Sequence, residues 1–266
     1  MRVHPLDADT ALEPLGPGRW RGEVTPRWWV GRGPFGGYVA TLLTRAMIAA
    51  VDDPARRPRS LTVQFADAPA AGPVEVWATV ERSGRSTSTV SLRLVQDGRP
   101  LVLALGACGV WREGEPAWAD GAAPAAPPPQ DCPRLERSDG MPRFLDLLDV
   151  RWVEGGRPGA PTAAARNLAW LRPDPPRALD HLALTALSDG WMPAALSKLG
   201  RPAIVPTLDL TIHFRAPVAA AGDWVLAHYA SRFAAGGVWE QDGELWAADG
   251  TLLAQSRQLA LIREAR

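Results

Sequence analysis

The chain has 266 residues, in which 29 Lys and Arg balance 29 Asp and Glu. That length supports one large domain or two ordinary ones with a real core. The zero net charge leaves no global field to draw the protein to nucleic acid or an anionic membrane. No apolar run reaches the length of a membrane span, and MRVHPLDADTALEPL lacks the basic-then-apolar pattern of a secretory signal.

Residues 1–19 are polar, with prolines, and read as a lead-in. Residues 20–24 and 27–30, rich in Trp and Val and split by Pro26, predict two short strands. The segment GRGPFGGYVATLLTRAMIAAVDD follows. Gly31, Gly33, Pro34, Gly36 and Gly37 predict a tight turn, and residues 38–51 carry the apolar stripe of a helix. No GxGxxG follows a strand and no GK[ST] occurs, so neither a dinucleotide nor a P-loop site is indicated. A glycine turn at a helix N-terminus can aim backbone N–H groups at a carbonyl or oxyanion, or it can serve close packing alone.

Strands are predicted at 59–67, 74–82, 86–96 and 100–111, with Asp97-Gly98 as a hairpin signal. One helix followed by long strands and tight turns predicts an antiparallel sheet wrapped on that helix. Residues 113–134 are dominated by Ala and Pro and cannot pair inside a sheet; they read as a linker between halves. Cys108 and Cys132 make neither a disulfide framework nor a metal spacing, so a reducing, cytoplasmic setting without metal or cofactor is expected. Beyond the linker, 141–153 and 165–171 resemble the opening strands. Residues 179–199, LDHLALTALSDGWMPAALSKL, have helical length and apolar spacing, and four more strands follow at 207–215, 223–233, 238–247 and 251–263.

The second half repeats the first. LTVQF at 61–65 returns as LTIHF at 210–214, 149 positions later, and Asp97-Gly98 returns as Asp249-Gly250, 152 positions later. The helix at 38–50 is matched with 191–199 at a shift near 153. Two such units can pair their sheets edge to edge and satisfy the edges each would expose alone.

A sheet curled around a helix, twice over, is similar to the α+β double-hotdog architecture of the type II (TesB-like) acyl-CoA thioesterases. GPFGGYVATLL, LSDGWMPAAL, PTLDLTIHFRAP and ADGTLLAQSRQLALIR carry the resemblance. It implies an N-terminal hotdog unit at 1–112, a linker at 113–140 and a C-terminal unit at 141–266 bearing the catalytic residues. It further implies an acyl-CoA substrate and a role in fatty acid metabolism, and a homodimer or higher homo-oligomer is the default expectation.

The resemblance assigns an acid to Asp189, a hydroxyl to Thr207 and an amide to Gln258, the three together orienting a hydrolytic water. The residues themselves are compatible with this. An ionised carboxylate takes a proton from water, while a Thr hydroxyl and a Gln amide hold it. A carboxylate in an apolar surround costs free energy unless it is hydrogen-bonded or does chemistry, though Ser188-Asp189 could also simply cap a helix starting at Gly190. Asp209 shares the face of Thr207 by strand alternation and competes for the acid role, and His213 alternates onto that face too. Small neighbours of Gln258, namely Ala254, Ser256 and Ala260, leave room for a ligand. Gly36 or Gly37 stands where the second half has Asp189, which predicts one catalytic centre per chain. Gly36, Gly37 and Tyr38 are the candidate substrate-binding residues, with the Gly37 and Tyr38 amides polarising the thioester carbonyl. Two rival readings are a hotdog hydratase, disfavoured because no His follows Asp189, and a non-catalytic acyl-group binding protein.

Overall fold

The computed structural model describes residues 3–156, 160–199, 203–218 and 222–264. Its first half comprises α1 (Pro5–Asp9), β1 (Glu13–Gly16), β2 (Arg19–Val24), α2 (Gly36–Val51), β3 (Arg56–Phe65), β4 (Gly72–Ser83), β5 (Thr87–Gln96) and β6 (Arg99–Val110). The second comprises β7 (Leu148–Gly155), β8 (Ala165–Pro173), α3 (His181–Ser188), α4 (Ala194–Leu199), β9 (Thr207–Phe214), β10 (Val225–Ser231), β11 (Val238–Ala247) and β12 (Leu252–Leu261).

These strands join one antiparallel sheet in the order β1-β2-β4-β5-β6-β3-β9-β12-β11-β10-β8-β7. The order is the same read from either end, with the β3–β9 pair at its middle. There Thr62 lies opposite Thr211, and their hydroxyls are 3.1 Å apart. The spacing read between LTVQF and LTIHF is therefore the offset across the junction, and the pairing satisfies two edges that would otherwise be open. Asp97 and Gly98 take φ of 51° and 75°, the mirror-image turn that the strand twist favours.

α2 buries most of its surface, including Tyr38, Leu42, Leu43 and Met47, against the sheet and α3. Each large side chain so buried contributes roughly 1.5–3 kcal/mol. The helix predicted across 179–199 is broken. α3 stops at Ser188, Gly190 takes φ of 83°, and α4 begins only after Pro193. A left-handed glycine and a proline without an N–H explain the break. The cap of α3 is Asp180, whose carboxylate accepts from the Ala183 amide at 2.8 Å; Asp189 sits at the C-terminal end and caps no helix start of its own half. The helix facing α2 is accordingly α3, with Thr44 and Thr185 hydroxyls 3.1 Å apart, while α4 lies on β8 and β10.

Other expectations differ as well: the strand expected at 141–153 begins only at Leu148, after a 3-10 turn at Arg143–Leu147. The lead-in supplies α1 and β1, and 27–30 is a 3-10 turn (Pro26–Trp28) followed by a two-residue pairing of Trp29–Val30 with Gly33–Pro34. The Ala/Pro-rich segment crosses the outer face of the second half. There Ala123, Ala126 and Cys132 cover Leu168, Trp170, Leu226 and Trp246, and the Trp170 indole donates to the Pro127 carbonyl at 2.8 Å.

Candidate active site

The N-terminus of α2 meets the C-terminal end of α3, and the site lies at that meeting. Phe35 precedes α2 and offers no side-chain cap. The free amides are served from the other half: Asp189 Oδ2 accepts from the Gly37 N–H at 2.9 Å. A carboxylate at a helix N-terminus is favoured both by the unpaired N–H groups and by the helix dipole. The approach requires glycine. A Cβ on Gly36 would stand 2.9 Å from Asp189 Oδ2, and one on Gly37 would stand 2.3 Å from the Ala186 carbonyl oxygen.

Asp189 is buried, and its Oδ1 has no hydrogen-bond partner among the described residues. Burial pushes its carboxyl up to about 7, against the opposing pull of the Gly37 and Gly36 amides. Beneath it the Tyr229 hydroxyl donates to the Leu187 carbonyl, and burial raises this phenol, with the Asp189 charge acting in the same direction.

Thr207 and Gln258 come to the same place on β9 and β12. The Thr207 hydroxyl donates to Gln258 Oε1 at 3.0 Å, and Gln258 Nε2 donates to the Asp189 main-chain carbonyl at 3.3 Å. The three predicted side chains are thus brought together, the amide linking the hydroxyl to the backbone of the acid. A bulge between Thr207 and Asp209 breaks the alternation that had placed Asp209 on the same face. Thr207 pairs with buried Ala260, whereas Asp209 pairs with exposed Leu259 and accepts from its amide at 3.3 Å. His213 is exposed, and its burial-lowered imidazole faces away from the core. The space beside Gln258 is also tighter than its small neighbours suggest, because the Ser256 hydroxyl donates to the Ser188 carbonyl at 2.7 Å.

The candidate backbone donors are engaged. The Gly37 amide is held by Asp189, and the Tyr38 amide donates to the Phe35 carbonyl at 3.1 Å. The Tyr38 ring is buried, stacks on Trp28, and its hydroxyl donates to the Glu23 carbonyl at 2.5 Å. One polar residue escaped the sequence reading. Gln241 on β11 lies directly opposite Gln258 and is 1% exposed. Its Oε1 accepts from the Ala194 amide at 2.7 Å, and its Nε2 has no partner among the described residues. Its only sequence signal was an inward position between Trp239 and Gly243 in an alternating strand.

A narrow apolar cleft is lined among others by Leu6, Trp28, Phe35, Leu147, Ala186 and Leu187, and Asp189, Thr207 and Gln258 are not among its lining residues. Among the described residues no cluster of three or more His, Cys, Asp or Glu could hold a metal ion, and no helix is long and apolar enough to cross a membrane.

A duplicated helix-in-sheet unit, fused at one sheet edge, with an acid of one half seated on the helix of the other, defines a double hotdog. Family models agree: the acyl-CoA thioesterase N-terminal domain matches residues 25–109 and the C-terminal domain matches 124–262. The chain belongs to the acyl-CoA thioesterase family. Among solved structures it is similar to a hot dog fold protein of unknown function from Alicyclobacillus acidocaldarius, at 32% identity, TM-score 0.92 and full coverage of both chains. It is also similar to the acyl-CoA thioesterase II TesB2 of Mycobacterium marinum, at 26% identity, TM-score 0.79 and 98% coverage of each. An uncharacterised protein of Mycobacterium tuberculosis is 26% identical over 98% of this chain and 96% of its own length.

Proposed function

We propose that the protein hydrolyses an acyl-CoA thioester to the free acid and CoA by direct attack of water. The observation that carries this reading is the Asp189 carboxylate: buried, anchored through Oδ2 on the Gly37 amide, with Oδ1 unpartnered among the described residues and the Thr207–Gln258 pair bonded to its backbone carbonyl. With its carboxyl raised to about 7, Asp189 is a base poised near neutral pH. In its ionised form Oδ1 takes a proton from water, and the water oxygen bonds to the thioester carbon. Collapse of the tetrahedral intermediate breaks the C–S bond, and the proton passes from Asp189 to the departing sulfur. Thr207 and Gln258 orient the water and hold the chain around the acid. No nucleophile elbow of the form GxSxG is present in the sequence, which accords with a route lacking an acyl-enzyme.

The test is a panel of acyl-CoAs of graded chain length, followed by release of free thiol. Turnover of at least one member, lost in Asp189→Asn, is expected. A flat trace for all of them would instead favour an acyl-group binding protein of the same fold.

A further inference from the structure

We propose that Gln241 is a substrate-binding residue of this site, its Nε2 donating to the carbonyl oxygen of the bound thioester. The inference rests on the thioesterase reading and adds to it the group that receives the developing negative charge. Tetrahedral attack puts charge on that oxygen, so a fixed donor must face it. Among the described residues Trp191 Nε1, two positions after the acid, is buried without a partner; the other donors nearby are occupied, Gly37 N–H by Asp189, Tyr38 N–H by Phe35, Gln258 Nε2 by the Asp189 carbonyl, and the Thr207 hydroxyl by Gln258. Gln241 Nε2 is not. Its orientation is fixed, because Oε1 must face the Ala194 N–H, which leaves the amino group pointing the other way.

That amino group abuts the residue after the acid: a Cβ on Gly190 would stand 3.1 Å from Nε2. Gln241 and Gln258 face each other across the β11–β12 ladder, so the two amides flank the Asp189-Gly190 corner. An unpaired buried amide carries a desolvation cost that an apolar residue of equal volume would avoid. A ligand oxygen removes that cost. Among the described residues Trp239 Nε1, on the same strand, and Trp191 Nε1, just beyond Gly190, are also buried donors without a partner and serve as the comparators.

The experiment measures binding of two non-hydrolysable analogues, each with the acyl chain that the wild-type protein hydrolyses fastest. In the ketone a methylene replaces the thioester sulfur and the carbonyl remains; in the thioether a methylene replaces the carbonyl. Wild-type protein is expected to bind the ketone about 10-fold more tightly, the worth of one hydrogen bond. Gln241→Met is expected to erase that preference and to lower kcat about 100-fold. Gln241→Glu, which keeps an acceptor for the Ala194 amide but loses the donor, must do the same; it covers the case in which the methionine variant fails to fold. A preference retained in both variants, or erased by Trp191→Phe or Trp239→Phe and not by Gln241→Met, overturns the assignment while leaving the hydrolase intact. A wild-type protein that turns over no acyl-CoA and binds neither analogue overturns the thioesterase reading, and this assignment with it.

Discussion

Replacing Asp189 with asparagine separates the chemistry of the acid from its burden on the fold. A carboxyl held at about 7 instead of the ordinary 3.8 is one whose charged form the folded protein disfavours. The folded state therefore keeps its proton where the unfolded state has lost it. Stability falls as pH rises from about 4 to about 7 and then levels off. At about 1.4 kcal/mol per pH unit, this window spans about 4 kcal/mol. The asparagine side chain does not titrate. Its carbonyl oxygen can accept from Gly37, and its unpaired NH2 carries a penalty that does not vary with pH. The difference in unfolding free energy between variant and wild type should thus rise by about 4 kcal/mol between pH 4 and pH 8, in favour of the variant. Urea unfolding of both proteins at a series of pH values measures it. A difference that stays level across that range would show that Asp189 is not held protonated by burial, and the argument for a poised base would fall with it.

Three further outcomes follow from the same geometry. The kcat/KM of the wild-type protein should climb through about pH 7 to a plateau, as Asp189 ionises; a profile flat from pH 5 to pH 9 would contradict a base with this titration. Gly36→Ala places a methyl 2.9 Å from Asp189 Oδ2 and 3.2 Å from the Phe65 ring. It should lower kcat at least 10-fold and destabilise by about 1–3 kcal/mol, measured by turnover and urea melts; unchanged turnover would show that the carboxylate need not sit where it does. Thr207→Val removes the hydroxyl that fixes Gln258. A fall in kcat of about 10-fold with little change in KM is expected, and a change confined to KM would reassign Thr207 to binding.

Much of the fold could be read because its signals are local. The stripe at 38–51 lies almost wholly inside the core, and Asp97-Gly98 adopts the turn its composition prescribes. The repeat of LTVQF as LTIHF marked the duplication, and the structure places the two copies side by side at the junction, with Thr62 opposite Thr211. What escaped was decided by tertiary context. Pro14 and exposed neighbours hide β1, which forms only because β2 lies beside it. The break after Ser188 is set by Gly190 and Pro193, and apolar spacing alone reads straight through both. Asp209 was grouped with Thr207 because a single-residue bulge leaves no mark in an alternating pattern. Gln241 escaped because a lone amide in a strand looks the same whether it meets solvent or a ligand.

Asp189 and the Gly37 amide that steadies it come from opposite halves of the polypeptide, 152 positions apart. Two separate chains bringing these groups together would lose the arrangement on dilution. Fusion into one polypeptide makes assembly of the pair independent of protein concentration. It also frees the earlier copy from bearing an acid of its own, so that its helix end can specialise as the cradle for its sibling's.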